Sequence, residues 1–278
     1  GDLEGNLWVF DVTGSNPGNW GSAYTGSGNQ SSTALPLFQT LSADTNGDGT
    51  DDRFQPISQR PLVLRNTLSP EGTEGGSGED FLIYFGTGKY FEDGDLTDTS
   101  EQSMYAVWDR GDSQLSRDNL QEQLIAVTDG TLRNITGGTI DWAGEVAREY
   151  GWFMDLPESG ERVLNPPKFR GEILFFETYT PNSDACASGG TSWFMSVTMD
   201  GFDPPFAVFD ANNDGVISSD EGIYAGQKIS NSSTGATGIL GNSQYYQNLN
   251  GQPDQREVNY GEDTNRAGRL GWRELTDF

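Results

Sequence analysis

The chain has 278 residues, with 42 Asp plus Glu against 16 Lys plus Arg, a formal net charge of −26 and no histidine. That charge repels nucleic acid and anionic membrane surfaces, so neither is an expected partner. The missing imidazole excludes a Ser-His-Asp triad, a Cys-His dyad, a His-ligated zinc and a histidine general base in this chain.

The acidic coat either gathers cations or keeps a protein soluble in salty surroundings, and both readings stay open. Hydrophobic residues make up only 33% of the chain, but 12% are aromatic and the large side chains fall in short clusters, which predicts a folded protein with much loop. No apolar run approaches the ~20 residues needed to span a bilayer, and there is no signal peptide. The chain opens at Gly1 rather than methionine, in what reads as a strand, and is expected to be a mature product or part of something longer. Its one cysteine, Cys186, reads either as a buried apolar thiol or as a bridge to a segment outside the chain.

In chain order, strands are predicted at Asn6 to Val12, Arg60 to Arg65, Asp80 to Gly88, Ser103 to Asp109, Gln123 to Thr128, Gly171 to Tyr179, Thr191 to Met199 and Phe206 to Asp210. Each is short, rich in β-branched or aromatic residues, and bounded by Gly, Pro, Asn or Asp. The best helical pattern, "RDNLQEQLIAV", reads equally as a strand in its second half. Thr13 to Thr33, Ser69 to Glu79 and Lys228 to Gln255 are expected to be long polar loops, and none resembles a domain linker. The fold class is all-β: a sandwich, a barrel or propeller blades.

Six segments, in order, make the reading more specific: "GDLEGNLWVFDV" from Gly1, "QPISQRPLV" from Gln55, "FGTGKYFEDGD" from Phe85, "EQSMYAVWD" from Glu101, "GWFMDLPESGERV" from Gly151 and "GRLGWREL" from Gly268. Together they resemble the C-terminal β-propeller domain of the PilY family, the biogenesis factors and tip adhesins of bacterial type IV pili. The resemblance implies that residues 1–278 are part of a single β-propeller domain, the C-terminal portion of a longer protein, with several four-stranded blades, long loops and EF-hand-like calcium loops. It also implies a secreted, cell-surface or pilus-tip protein. Its expected partners are pilus tip subunits (minor pilins), host or abiotic surfaces and the N-terminal part of the same protein.

One loop carries the clearest chemistry. From Asp210 as position 1, "DANNDGVISSDE" supplies Asn212 at 3, Asp214 at 5, the bend-permitting Gly215 at 6, the Val216 carbonyl at 7, Ser218 at 9 and Glu221 at 12, the order in which an EF-hand loop wraps Ca²⁺. Ile217 is expected to anchor the loop to the core. The preceding "FAVF" reads as a strand, so the loop is not expected to lie between paired helices. The family pattern often has a carboxylate at position 9; with Ser218 there, Asp220 or Glu221 is expected to close the site. A second loop, "DTNGDGTDD", offers Asp44, Asn46, Asp48, the Thr50 carbonyl and Asp52 at positions 1, 3, 5, 7 and 9, with the poor ligand Gln55 at position 12. The acidic run Glu92 to Glu101 lacks that alternation and is expected to be a solvated loop.

Arg110, Gly111 and Asp112 form the tripeptide that integrins recognise at exposed loop tips, and some PilY proteins are proposed to use it on host cells. A plain turn explains the same residues. No catalytic residue is assigned. A quinoprotein-like propeller enzyme is the alternative in another class, and carboxylate pairs such as Asp141 with Glu145 have nothing to single them out. The expected function is a calcium-binding pilus tip adhesin and biogenesis factor that promotes extension against retraction, or else a calcium-stabilised surface scaffold without a regulatory role.

Overall fold

The computed structural model describes residues 1–26, 33–40, 54–69, 81–128, 130–142, 149–182, 189–212, 214–229, 238–240, 242–248 and 252–261. The loop of Asp44, Asn46, Asp48, Thr50 and Asp52 lies outside these, as do Glu145, Cys186 and the terminal "GRLGWREL". Among the described residues the protein is all-β, with helix limited to the 3-10 turns Pro17–Asn19, Asp93–Leu96 and Arg117–Asn119. The last of these is all that forms of the predicted helix. No helix among the described residues is long and apolar enough to cross a membrane.

Ten strands carry the architecture: β1 (Leu62–Arg65), β2 (Phe81–Gly86), β3 (Ser103–Asp109), β4 (Gln121–Thr128), β5 (Leu132–Gly137), β6 (Gly151–Asp155), β7 (Lys168–Arg170), β8 (Ile173–Pro181), β9 (Gly190–Val197) and β10 (Gly226–Ile229). They form one sheet in the order β7-β8-β9-β10-β5-β4-β6-β3-β2-β1. Its ends are two four-stranded antiparallel units, β1-β2-β3-β6 and β7-β8-β9-β10. The β4–β5 hairpin joins them through thin seams: β4 meets β6 only at Gln121↔Trp152 and Glu122↔Phe153, and β5 meets β10 only at Leu132↔Gln227 and Arg133↔Gly226. In both units a long excursion separates the third strand from the fourth, over residues 110–150 in one and 198–225 in the other.

The period-2 alternation of a strand explains how the units stack. On β2, Leu82 and Tyr84 face one cluster while Ile83 and Phe85 face another. On β8, Leu174 and Phe176 face the first cluster, and Ile173 and Phe175 face a third. The first cluster, with Trp108, Trp152 and Trp193, is therefore shared by both units. The second fills the space under the N-terminal segment with Leu7, Leu37 and Phe38, and the third lies beyond the β7–β10 unit with Val208, Phe209, Val258 and Tyr260. Burial on both faces is why these strands read as nearly continuous apolar runs, each large side chain contributing about 1.5–3 kcal/mol of burial.

Three local expectations are corrected. Phe206 to Asp210 is not a strand: the Ala207 and Val208 carbonyls accept from Asn259 Nδ2 and Asn259 N instead. The polar stretch Lys228 to Gln255 is not all loop, since Gly238–Leu240, Ser243–Gln247 and Pro253–Glu257 pair as a three-stranded antiparallel sheet. The acidic run 92–101 is not wholly solvated. Asp95 is only 3% exposed; it accepts from the Phe91 and Glu92 amides and pairs with Lys89 Nζ at 2.8 Å.

Candidate metal centre

Phe209, packed in the third cluster, leads directly into the 210–221 loop, and β10 follows it. The loop therefore begins and ends on the β7–β10 unit. Its backbone coils around its own carboxylates. Asp210 Oδ1 accepts from Asp214 N (3.1 Å) and Oδ2 from Gly215 N (2.8 Å); Asn212 Oδ1 accepts from Asp214 N (2.8 Å), and Asp214 Oδ1 from Val216 N (2.9 Å). Gly215 has φ of +91°, the left-handed bend that the sixth position of such a loop requires.

Carboxylate oxygens of Asp210, Asp214 and Glu221 lie within 4.8 Å of one another. Glu221 is 8% exposed. Its Oε2 accepts from Ala211 N (3.0 Å) and Asn212 N (3.3 Å), while Oε1 is out of solvent with no hydrogen-bond partner. A buried carboxylate oxygen without a donor is costly, and a cation among the three carboxylates removes that cost. An all-oxygen donor set suits a hard cation such as Ca²⁺ or Mg²⁺. The fit with a bound cation rests on that orphaned oxygen together with the convergence of three carboxylates.

The other predicted ligands are placed as follows. The Val216 side chain is exposed, which costs a residue valued for its carbonyl nothing. Ser218 Oγ accepts from Asp220 N at 3.3 Å, and Asp220 is exposed, so the carboxylate brought into the cluster from the closing positions is Glu221. Ile217 does not join the packed core; with Phe206 and Ile223 it lines a cavity of about 430 Å³ beside the loop.

The Arg110-Gly111-Asp112 turn follows β3. Gly111 has φ of +93° and open space around it. The Arg110 guanidinium lies 4.1 Å from the Trp108 ring centroid, and Asp112 accepts from Tyr150 Oη at 2.9 Å.

Sequence reasoning missed a second polar centre, where β5 and the β6–β7 connection meet the β7–β10 unit. Arg133 and Glu161, both fully buried, pair through Nη1–Oε1 (2.6 Å) and Nη2–Oε2 (2.8 Å), and the guanidinium lies 3.8 Å over Trp193. Thr178 also donates to Glu161. Beside it, Glu158 accepts from Lys228 Nζ (2.8 Å) and Trp193 Nε1 (2.9 Å). Burial pushes Glu158 up, but the Lys228 and Trp193 hydrogen bonds outweigh it and hold the carboxyl below its usual range. Both acids stand in "GWFMDLPESGERV"; their partners on β5 and β10 are remote in sequence, so spacing offered no signal.

No family model matches the chain. It is 30% identical over 320 residues to the type IV pilus biogenesis factor PilY1 of Pseudomonas aeruginosa strain PAO1, covering 99% of this chain and 26% of that protein. A type IV pilus biogenesis factor PilY1 homolog of Xylella fastidiosa is 31% identical over 202 residues, covering 69% of this chain and 12% of the relative. The crystal structure of the Pseudomonas aeruginosa PilY1 C-terminal domain matches with a TM-score of 0.62 and 23% identity, over 93% of this chain and 57% of that one. At that identity the structural likeness speaks to the fold. The chain spans about a quarter of the length of the first of these relatives. Near-complete coverage at 30% identity, with a shared fold, makes this chain a member of the PilY family of type IV pilus biogenesis factors.

Proposed function

We propose that the protein works at the cell surface as the propeller portion of a type IV pilus biogenesis factor and tip adhesin, and that its 210–221 loop takes Ca²⁺. The observation that carries the metal is the buried, unpartnered Oε1 of Glu221, on a carboxyl group that converges with those of Asp210 and Asp214. The two four-stranded units that share one cluster support a reading as adjacent blades. Asp210, Asn212, Asp214, the Val216 carbonyl and Glu221 would hold the ion, with Ser218 at the ninth position directly or through water.

Without a cation the three carboxylates repel one another, and the loop closes at a cost. A bound divalent ion removes the repulsion, orders the surface between β9 and β10, and so biases which face the unit presents. On this reading calcium occupancy promotes pilus extension against retraction. The partners are minor pilins, the N-terminal part of the same protein, and a host or abiotic surface. The role is binding and mechanical, not enzymatic.

Asp214→Ala in the native protein tests this in cells. We expect altered surface piliation and twitching at unchanged protein level; normal pili and motility with normal protein would overturn the regulatory role and leave calcium as a staple.

A further inference from the structure

The three-stranded sheet of Gly238–Leu240, Ser243–Gln247 and Pro253–Glu257 contributes no ligand to the metal loop, yet it holds the backbone from which the loop starts. A line of hydrogen bonds crosses it. Gln244 Nε2 donates to Glu177 Oε1 on β8 (3.2 Å), and Gln244 Oε1 accepts from Arg256 Nε, its directly opposed cross-strand partner. Arg256 Nη1 donates to Gln227 Oε1 on β10 (2.9 Å), and Gln227 Nε2 donates to the backbone carbonyl of Asp210 (3.0 Å).

The Arg256 guanidinium also lies over Phe194 (4.8 Å) and over Phe209 (5.5 Å), the residue immediately before Asp210. Just beyond the sheet, Asn259 N donates to the Val208 carbonyl (3.0 Å), and Asn259 Nδ2 donates to the Ala207 carbonyl (2.9 Å). Three carbonyls in four residues, 207, 208 and 210, are thus held by side chains or backbone from outside the loop, while the Phe209 ring packs in the third cluster. Asp210 supplies the first carboxylate of the site, so fixing its backbone fixes where that carboxylate points.

We infer that Gln227 and Arg256 are positioning residues for the metal loop, through which the C-terminal sheet sets calcium affinity. The inference rests on the calcium reading above. Neither residue touches the ion; each acts through the next. Groups one layer out from metal ligands typically change affinity about 10–100-fold when lost, and the single link to Asp210 puts Gln227→Met near the lower end, about tenfold. Arg256→Lys keeps the charge but loses the planar fork that bonds Gln244 and Gln227 at once, so it weakens binding too. Linkage is reciprocal, so calcium in turn stiffens the sheet.

The test is calcium titration by calorimetry on the intact chain and on Gln227→Met and Arg256→Lys, with hydrogen exchange of the wild type at residues 243–247 and 253–257 with and without calcium. We expect about tenfold weaker binding in Gln227→Met, weaker binding in Arg256→Lys, and calcium-dependent protection of both strands. Wild-type affinity in Gln227→Met would overturn the inference alone. An absence of calcium heat from the wild type would overturn the calcium reading and this inference with it. The exchange measurement needs no variant, and strands whose exchange ignores calcium would contradict the coupling even if the variants fail to fold.

Discussion

The protein gathers two groups of carboxylates in opposite surroundings. Where β5 and the β6–β7 connection meet the β7–β10 unit, Glu161 and Glu158 meet Arg133 and Lys228, cations built into the chain, and threonine and indole donors fill further lone pairs. In the 210–221 loop, Asp210, Asp214 and Glu221 converge with no Lys or Arg forming an ion pair with them among the described residues; backbone amides serve some of the oxygens, and Glu221 Oε1 is left over. The first group is complete in the folded chain. The second has an oxygen left over, and on the proposed reading a cation from solution would complete it, which would make it the responsive one.

The largest effect is expected where the comparison is starkest. Arg133→Met leaves Glu161 fully buried without its cation, and breaking one side of a buried pair costs about 3–5 kcal/mol. Urea unfolding should register that loss with and without calcium. If calcium restored the lost stability, the Arg133–Glu161 centre would not be self-sufficient, and the contrast would break.

A second buried acid sharpens it. Burial pushes Glu177 up to about 8, against the pull of Lys168 and Arg256. The folded protein keeps a proton that the unfolded chain releases near the usual 4.5, so this group's contribution declines as pH rises from about 4.5 to about 8 and is level above that. Glu177→Gln removes the decline. The stability difference between variant and wild type, followed by thermal melts across that window, should grow with pH in the variant's favour. A constant difference would mean that Glu177 is not held protonated.

What the sequence made legible follows from distance along the chain. The 210–221 loop carries its own oxygens within a dozen residues, so alternation and Gly215 were enough to find it. Strands β2, β3, β8 and β9 are apolar on both faces and announced themselves. The two strands that meet at one seam did not: β5 ("LRNITG") and β10 ("GQKI") look polar because Arg133 and Lys228 reach inward to Glu161 and Glu158. Nor did the support behind the loop: Gln227 comes from the polar strand β10, and Arg256 and Asn259 come from and just after a sheet whose strands are rich in Gln, Ser, Asp and Glu. Ile217 shows the limit of pattern matching: position 8 predicted an anchor, but the core beneath this loop is made by Phe209, Val208 and Tyr260.

The most direct measurement is thermal melting of the wild type and Glu221→Gln during calcium titration. Calcium should stabilise the wild type, by about 2.7 kcal/mol per site at a hundredfold excess over Kd, and Glu221→Gln, folded without calcium, should lose the share that belongs to the 210–221 loop. Equal stabilisation of both proteins, or of neither, would contradict a metal centre built on Glu221.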